Sequence, residues 1–264
     1  MDSPLVVGVM LTADRPDMTA RAIRSFEAQT YERKCLLVLD SGDTPLNLPT
    51  NIRQIYKRLL YKYPVGELRN IANAMAGCAD IIAHFDSDDW SHPRRLEEQV
   101  ALLQASGADV VGYNEILFWD TRRWSESFEA SERLGRVPQL NEAWIYENDA
   151  LAIVRGLNPG YTEGYPAVGA SFCYWRAAWE RQKFLEINRG EDTDWLRRGV
   201  RCYGESALRE DKGPMLEARL VCEIHGGNTN SSIMRGYDEF RRASQWDEYC
   251  KEKMEAAHEL RSVS

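Results

Sequence analysis

The first hundred residues alternate between short apolar runs and stretches with helical spacing, a pattern typical of parallel α/β units. Residues 5–11 and 35–39 are continuous apolar runs, which predict strands buried on both faces of a sheet. Residues 52–56 predict a weaker third strand, and residues 80–85 predict a fourth. The pattern therefore predicts an α/β fold with a mostly parallel central sheet and helices on both of its faces.

Three stretches between and after these runs place apolar side chains along one side of a helix. Asp17 or Thr19 could cap the first helix by accepting hydrogen bonds from its free amides. The second helix, at residues 67–76, would end at Gly77 in a left-handed conformation. The inward positions are Met18, Ala22, Ile23 and Phe26 in the first helix, Leu68, Ile71, Ala72 and Met75 in the second, and Leu96, Val100 and Leu103 in the third.

Polar residues follow three of the predicted strands at their carboxyl ends. Residues 12–15 follow the first strand, residues 40–43 the second, and residues 86–89 the fourth. Because parallel strands deliver their carboxyl ends to one crevice, we expect these three segments to lie close together. Open α/β sheets bind their ligands in that crevice, so the pattern predicts a ligand site there.

The last of these segments reads Asp86-Ser87-Asp88-Asp89-Trp90 and carries three carboxylates within four positions. Three anions that repel one another cannot be buried without a partner, so the cluster belongs at the exposed end of the strand. Closely spaced oxygen ligands at that place suit a hard divalent cation that is shared with phosphate groups. The alternative is an acidic turn that caps the helix starting near Pro93.

Composition and charge narrow the class of protein. The chain has 264 residues, of which 44% are hydrophobic and 28% charged, as in an ordinary globular protein with one large domain or two small ones. The formal net charge of −8 argues against broad electrostatic binding to nucleic acid, although it leaves room for a local basic groove.

The sequence also carries signals about its compartment. No N-terminal stretch joins a basic head to a long apolar run, and none approaches the roughly 20 apolar residues that cross a bilayer. We therefore expect a cytoplasmic protein without membrane insertion. The cysteines are far apart and form no Cys-x-x-Cys pair, which favours reduced thiols over a zinc site or a disulfide framework. They are Cys35, Cys78, Cys173, Cys202, Cys222 and Cys250.

Several motifs, taken in order, resemble those of family 2 glycosyltransferases with the GT-A fold. They are Asp14-Arg15-Pro16, Gln29-Thr30-Tyr31, Asp40-Ser41-Gly42-Asp43, Leu68-Arg69-Asn70 and the acidic segment Asp86-Ser87-Asp88-Asp89-Trp90. The Asp40 motif matches the usual Asp-Asp-Gly-Ser pattern only loosely. The resemblance covers residues 5–118 well and residues 166–230 through shorter motifs. It implies a single GT-A domain that transfers a sugar from a nucleoside diphosphate with inversion and with a divalent cation, Mn²⁺ or Mg²⁺.

The resemblance also implies roles on the donor side. Asp88 would be the direct metal ligand, with Asp86 near the ribose and the metal. Asp40 would accept a hydrogen bond from the imino N–H of the base, which favours UDP. Arg69 would reach the base or the phosphates, unless it is a helix-surface arginine that pairs with Glu67 or another acid. The remaining nucleotide-sugar-binding residues would be Thr12, Asp14, Arg15, Ser87 and Glu191, although the Asp14 loop could also be a simple turn.

The acceptor side and the catalytic base are expected in the second half of the chain. Residues 164–175 resemble the glycine-containing strand before the acceptor-site helix, and residues 190–195 resemble the Glu-Asp motif that faces the donor sugar. Inverting transfer needs a carboxylate within reach of the acceptor hydroxyl, and we assign Asp192 to this role. Glu191 and Asp194 are the alternatives, because acids in a first helical turn are also favoured by the helix dipole alone.

A histidine-containing loop completes the predicted site. Related enzymes often have a His-Gly segment that folds over the donor, and residues 224–230 resemble it. His225 would ligate the cation or touch the diphosphate as a neutral imidazole. The glycines at 226 and 227 would let the backbone approach the phosphates closely. The alternative is a flexible turn with an incidental histidine.

We interpret residues 1–264 as one domain with three parts. Residues 1–118 form the nucleotide-sugar half, residues 119–236 the acceptor and catalytic half, and residues 237–264 a C-terminal helix that packs on the body. Aromatic side chains between the two halves suit either an acceptor surface or the core. They are Trp119, Trp124, Phe128, Trp144, Tyr146 and Tyr161.

The sequence thus predicts a metal-dependent glycosyltransferase whose acceptor is a glycan or surface polysaccharide, or else a modified nucleic-acid base. A nucleotidyltransferase of similar fold is one alternative, but it would normally carry a Gly-rich phosphate loop, and residues 12–16 contain no glycine. A non-catalytic nucleotide- or sugar-binding protein is the other alternative. The retention of Asp88, Asp192 and His225 together argues against it.

Overall fold

Helices and strands alternate along the first hundred residues, as the apolar pattern predicts. A computed structural model describes residues 3–48, 54–120, 151–155, 167–209 and 217–225. The strands are β1 Val6–Thr12, β2 Lys34–Asp40, β3 Gln54–Arg58, β4 Ile81–His84, β5 Trp90–Ser91, β6 Val110–Asp120, β7 Leu151–Arg155, β8 Cys173–Trp175, β9 Cys202–Ser206, β10 Leu208–Arg209, β11 Glu217–Ala218 and β12 Leu220–Ile224. The helices are α1 Pro16–Glu27, α2 Val65–Met75, α3 Arg95–Ser106, α4 Arg176–Arg181 and α5 Glu191–Arg197, with a 3₁₀ turn at Gly169–Ser171.

The main sheet runs in the order β3-β2-β1-β4-β8-β6-β12-β5, and β7 and β9 pair with β6. Strands β1 to β4 pair in parallel, which confirms the predicted α/β architecture. Strand β8 is antiparallel to both of its neighbours, β4 and β6. The polar segments after β1, β2 and β4 therefore emerge at the same edge of the sheet.

Two apolar cores cover the two faces of the sheet. Alternate residues of β1 point to opposite sides, so that Val6 and Met10 join one core while Val7 and Val9 join the other. Helices α1 and α3 cover the first face, and their buried side chains include the predicted Phe26, Leu96, Val100 and Leu103. Helix α2 packs on the second face, together with residues of α4 and α5.

Three details of the predicted helices are wrong. Helix α1 begins at Pro16 after Arg15 and has no side-chain cap from Asp17 or Thr19, since proline itself removes one orphan amide. Helix α2 ends at Met75, its C-cap Ala76 has a φ of −78°, and Gly77 is not in the left-handed region. Met75 is 36% exposed, because the last turn of α2 extends beyond the core.

Helix α2 is held against the second half of the chain at Gly66. The backbone amide of Gly66 donates to the Ile187 carbonyl at 3.0 Å, and Val65 N donates to Asn188 Oδ1 at 3.2 Å. A Cβ at residue 66 would lie 1.7 Å from the carbonyl oxygen of Leu185. Only glycine therefore allows this approach between α2 and residues 185–188.

Replacing Gly66 with alanine is expected to destabilise the fold by about 1–3 kcal/mol, since overpacking against backbone forces the two segments apart. The free energy of unfolding in urea measures this effect. Gly77→Ala is the matched control, because a Cβ there meets nothing closer than 3.6 Å and alanine favours the helix end. Equal stability of the two variants would contradict the packing argument.

Some predicted features lie outside the described residues. They are the C-terminal helix at 237–264, the glycines at 226 and 227, and the side chains of Trp119, Trp124, Phe128, Trp144, Tyr146 and Tyr161. Among the residues that the structure does describe, no cysteine forms a disulfide. Within the same ranges, no helix has the length and apolar character needed to span a membrane.

Candidate active site

A cavity of about 630 Å³ opens at the carboxyl edge of the sheet. Its walls come from the ends of β1 and β2, the acidic loop after β4, the start of α2, the turn at 168–170, the start of α5 and the strand β12. The convergence of the three polar strand ends, predicted from the sequence, is confirmed. Residues from both halves of the chain share this one space.

Asp88 is the most highly connected of the three acidic residues. Its Oδ2 accepts a hydrogen bond from Arg15 Nη1 at 2.6 Å and lies 2.9 Å from His225 Nε2. Burial acts to raise the pKa of Asp88, but the His225 hydrogen bond and the Arg15 charge outweigh it and lower the pKa. His225 thus lies beside the acidic loop rather than in an unrelated turn.

Asp86 and Asp89 have different surroundings. Asp86 lies 3.8 Å from Arg69 Nη2, and burial together with the neighbouring Asp88 raises its pKa. The Asp89 carboxylate accepts hydrogen bonds from Glu223 N at 3.1 Å and Cys222 Sγ at 3.2 Å. Asp89 therefore fixes the acidic loop to β12.

The acidic segment does not cap the following helix. Helix α3 begins at Arg95, its N-cap is Arg94, and that cap has no side-chain hydrogen bond. The alternative of an acidic capping turn is therefore wrong. Ser87 in the same loop is buried, lines the cavity, and its Oγ has no hydrogen-bond partner within the described residues.

Arg69 connects the acidic loop to helix α5. Its Nε donates to Glu191 Oε1 at 3.0 Å, and both side chains are about 7% exposed. Burial acts to lower the pKa of Arg69, but Asp86 and Glu191 outweigh it and raise the pKa. The alternative interpretation is wrong in placing Arg69 on the helix surface, because Arg69 is buried, but Arg69 does pair with an acid, Glu191. Its Nη1 is buried and has no hydrogen-bond partner in the described part of the chain.

The three acidic residues in the first turn of α5 have different surroundings. Glu191 is buried against Arg69, and burial raises its pKa. Asp194 points outward and accepts a hydrogen bond from Arg198 Nε at 2.5 Å. Asp192 lies on the cavity wall, where its Oδ1 accepts the Thr193 amide at 2.6 Å, and it has no salt bridge to any described residue.

Gly169 lies directly against Asp192. A Cβ at residue 169 would lie 2.1 Å from Asp192 Oδ2 and 2.9 Å from Asp192 Cβ. The bare backbone of Gly169 therefore forms the surface on which the Asp192 carboxylate rests. This contact joins the turn after residue 168 to helix α5.

Thr12 lines the cavity, whereas Asp14 and Asp40 are not among its lining residues. The Thr12 hydroxyl is 2.7 Å from that of Thr19. Asp14 Oδ1 accepts the amide of Asp43 at 2.7 Å, which ties the loop after β1 to the loop after β2. Asp40 is fully buried, with its oxygens 2.9 Å from Gly42 N and 2.7 Å from the Tyr56 hydroxyl. Direct contact of Asp14 or Asp40 with a nucleotide stays a prediction.

The sequence interpretation missed two residues behind the acidic loop. Arg21 Nη2 donates to the Asp88 carbonyl at 3.0 Å and also forms an ion pair with Glu223. The signal was present, because Glu223 is a charged residue within the apolar run 220–224 of β12. A buried charge in a strand requires a partner.

The side chains around Asp88 supply some of the ligands that a divalent cation requires. Within the described ranges, no group of three or more His, Cys, Asp or Glu side chains is arranged to hold a metal ion. Asp88 and His225 nevertheless supply a carboxylate and an imidazole, and a cation bound there would compete with the Arg15 guanidinium for Asp88 Oδ2. Magnesium-type sites often use one or two carboxylates with water and substrate phosphate as the other ligands.

Comparison with known proteins agrees with this geometry. Residues 9–136 match the family model of glycosyl transferase family 2. Among solved structures, S. aureus TarS 1–349 in complex with UDP-GlcNAc is similar with a TM-score of 0.53 and 17% identity, over 86% of this chain and 61% of that chain. Among curated proteins, no sequence matches this chain.

A second solved structure extends the likeness over the whole chain. The mannosyltransferase PcManGT from Pyrobaculum calidifontis, in complex with GDP-Man and Mn²⁺, is 12% identical with a TM-score of 0.53, over 100% of this chain and 76% of that chain. The chain spans about three fifths of TarS 1–349 and 38% of the longer TarS structure. The predicted fold is confirmed by these likenesses. Residues 9–136, just under half of the chain, therefore match glycosyl transferase family 2, and the chain shares the fold of these GT-A glycosyltransferase structures.

Proposed function

We propose that the protein transfers a sugar from a nucleoside diphosphate, with UDP as the nucleotide, to an acceptor hydroxyl, with inversion and with help from a divalent cation. One observation carries the proposal. A single cavity contains both the Asp88 cluster, which suits a diphosphate and its cation, and Asp192, which suits a proton acceptor. Transfer requires these two chemistries in one space.

The diphosphate end is supported by the charges around Asp88. Arg15 and Arg69 are fork-shaped donors on the cavity wall, and each can turn N–H groups towards phosphate oxygens. Arg69 Nη1 and Ser87 Oγ are buried and without partners in the described residues, so both are available to a bound nucleotide sugar. These groups would hold the diphosphate and keep water from it.

Asp88 and His225 would hold the divalent cation, with Asp86 close by. A bound cation would supply positive charge that stabilises the diphosphate as it leaves. The GDP-Man and Mn²⁺ complex of PcManGT and the UDP-GlcNAc complex of TarS support a nucleotide-sugar donor with metal, in proteins whose fold this chain shares.

Asp192 would act as the general base. The acceptor oxygen attacks the anomeric carbon while its proton passes to the Asp192 carboxylate, and the bond from that carbon to the diphosphate oxygen breaks. One such displacement inverts the configuration at the anomeric carbon. Glu191 is a poorer candidate for this role, because its carboxylate already accepts a hydrogen bond from Arg69.

A glycan hydroxyl is the acceptor that the rim of the cavity favours. Tyr63 lines the cavity, and Tyr61 beside it is 70% exposed, with the two ring centroids 6.5 Å apart. Aromatic faces at the mouth of a polar cavity suit the apolar faces of sugar rings. A modified nucleic-acid base is the other acceptor to be tested.

The function is tested by incubating the protein and Mn²⁺ with a panel of nucleotide sugars and measuring the nucleoside diphosphate released, with and without added glycans. Release of diphosphate with sugar recovered on a glycan supports the proposal. A preference for nucleoside triphosphate plus sugar phosphate would identify a nucleotidyltransferase. Tight binding without turnover of any donor would identify a binding protein.

Among the four nucleoside diphosphates, UDP is expected to bind most tightly. Uracil has an imino N–H that can donate to the Asp40 carboxylate at the end of β2, whereas cytosine and adenine have none. Guanine also has an imino N–H, but its larger ring system should exclude it. Calorimetry with UDP, CDP, ADP and GDP in the presence of Mn²⁺ measures the preference, and Asp40→Asn should weaken it. Equal affinities for all four would remove Asp40 from base recognition.

A further inference from the structure

His84 is a buried imidazole at the end of β4, immediately before the acidic loop. Its side chain is fully buried, and its ring stacks on Phe172 with centroids 5.6 Å apart. Buried polar rings require hydrogen-bond partners, and His84 has two. Nδ1 lies 2.7 Å from the carbonyl oxygen of Gly169, and Nε2 lies 3.3 Å from the Tyr174 hydroxyl.

The direction of the first hydrogen bond is fixed by chemistry. A carbonyl oxygen can only accept, so Nδ1 carries the hydrogen and donates to Gly169. Burial and the nearby cations Arg69 and Arg95 disfavour a charged ring, so Nε2 carries a lone pair. His84 therefore holds the Gly169 peptide with one defined tautomer.

The Tyr174 hydroxyl and Asn73 complete this chain of groups. The hydroxyl lies 2.9 Å from the side-chain oxygen of Asn73, whose amide nitrogen is buried without a partner in the described residues. Turning the Asn73 amide over lets its nitrogen donate to Tyr174, which then donates to His84 Nε2. With that orientation Asn73, Tyr174, His84 and Gly169 form one continuous chain of hydrogen bonds in which each group donates to the next.

The same peptide segment is held from the other side by Arg95. Arg95 Nη2 donates to the carbonyl of Ala170 at 3.1 Å and to the carbonyl of His84 at 2.9 Å. The turn at 169–171 is therefore fixed by side chains from β4 and α3. Gly169, at the start of this turn, is the residue on which the Asp192 carboxylate rests.

We propose that His84 is a positioning residue, which sets the place of the Asp192 carboxylate by holding the Gly169 carbonyl. The proposal rests on the proposed function of Asp192 as the base. His84 does not touch the cavity and takes no part in proton transfer. Its effect passes through the Gly169 backbone, because the Asp192 carboxylate lies against the Gly169 Cα.

Two variants of His84 separate the hydrogen bond from the bulk of the ring. His84→Phe keeps an aromatic ring against Phe172 and loses the donor, whereas His84→Asn keeps an N–H donor at the place of Nδ1. Tyr174→Phe removes the contact at Nε2 and leaves the bond to Gly169, so it should cause a smaller loss. The readouts are kcat and KM for release of UDP from a UDP-sugar, and UDP affinity by calorimetry with Mn²⁺.

His84→Phe is expected to lower kcat about a hundredfold, as a misplacement of about 1 Å does, with KM and UDP affinity unchanged. His84→Asn should restore most of that loss. Turnover of His84→Phe within twofold of the native protein would overturn the proposal, and so would equal losses in both variants or an effect confined to UDP affinity.

Crystal structures make the proposal testable without turnover. The Asp192 carboxylate should move away from Gly169 in His84→Phe and keep its place in His84→Asn, and an unmoved carboxylate in His84→Phe would overturn the proposal. If His84→Phe does not fold, Gly169→Ala is the substitute, because its Cβ would displace the Asp192 carboxylate from Gly169 directly. It should show the same loss of kcat with UDP affinity retained. Absence of any donor turnover in the native protein would instead refute the proposed function, while the crystal structures still decide the role of His84.

Discussion

Replacing Asp192 with asparagine is expected to lower the rate of sugar transfer about a hundredfold to ten-thousandfold and to leave UDP affinity unchanged. The amide keeps the shape of the side chain and its hydrogen bond with Thr193 N, but it cannot take a proton from the acceptor hydroxyl. Loss of a favourable contact with the helix dipole alone would lower the transfer rate at most a few-fold. The rate of diphosphate release and calorimetry with UDP measure the two quantities separately.

Asp194→Asn is the matched control for this variant. It changes the same residue type in the same helical turn, but the Asp194 carboxylate pairs with Arg198 on the outer side of α5. Its transfer rate should stay within about twofold of the native rate, since exposed ion pairs contribute little. If Asp192→Asn behaves like Asp194→Asn, Asp192 is a helix-start residue and the search for the base moves to Glu191.

Replacing Asp88 with alanine is expected to make UDP binding independent of manganese. Asp88 contacts both Arg15 and His225, so its loss removes the carboxylate around which the other charged groups are arranged. Removing even an outer-shell partner of a metal ligand costs about tenfold to a hundredfold in metal affinity, and a direct ligand should cost more. Calorimetric titration with UDP, with Mn²⁺ or with excess chelator, gives the result.

Asp17→Ala is the control, because Asp17 lies exposed in the first turn of α1 and does not line the cavity. Its UDP affinity should respond to Mn²⁺ as in the native protein. Circular dichroism of both variants separates a binding defect from unfolding. Equal UDP affinity of the native protein with Mn²⁺ and with chelator would refute the metal assignment itself.

The sequence was sufficient to predict elements whose apolar pattern repeats without interruption. Strands β1, β2 and β4 and the buried stripe of α3 follow from such runs, and their ends place Asp88 and Arg15 at one edge of the sheet. Gly77 misled the prediction, because a glycine after a helix need not adopt a left-handed conformation when the chain can turn otherwise.

The rest of the site depends on contacts that no local pattern contains. Arg69 and Glu191 are 122 positions apart, and their pairing follows only from the approach of α2 to α5. Tertiary packing likewise decides the hydrogen bond of Tyr56 to the buried Asp40 and the contact of the Asp192 carboxylate with Gly169. Residue types indicated the chemistry of the site, whereas the neighbours of each residue were decided by the fold.

The position of β8 has a consequence for the order in which the protein can fold during synthesis. Strand β8 lies between β4 and β6, which do not pair with each other, so the main sheet has a gap until residue 175 has left the ribosome. A nascent chain that ends earlier carries two open strand edges, and such edges attract other chains. Residues 9–136, which carry the family match, end before that strand. We therefore expect a fragment limited to those residues to aggregate rather than fold, and the full chain to fold slowly for its size.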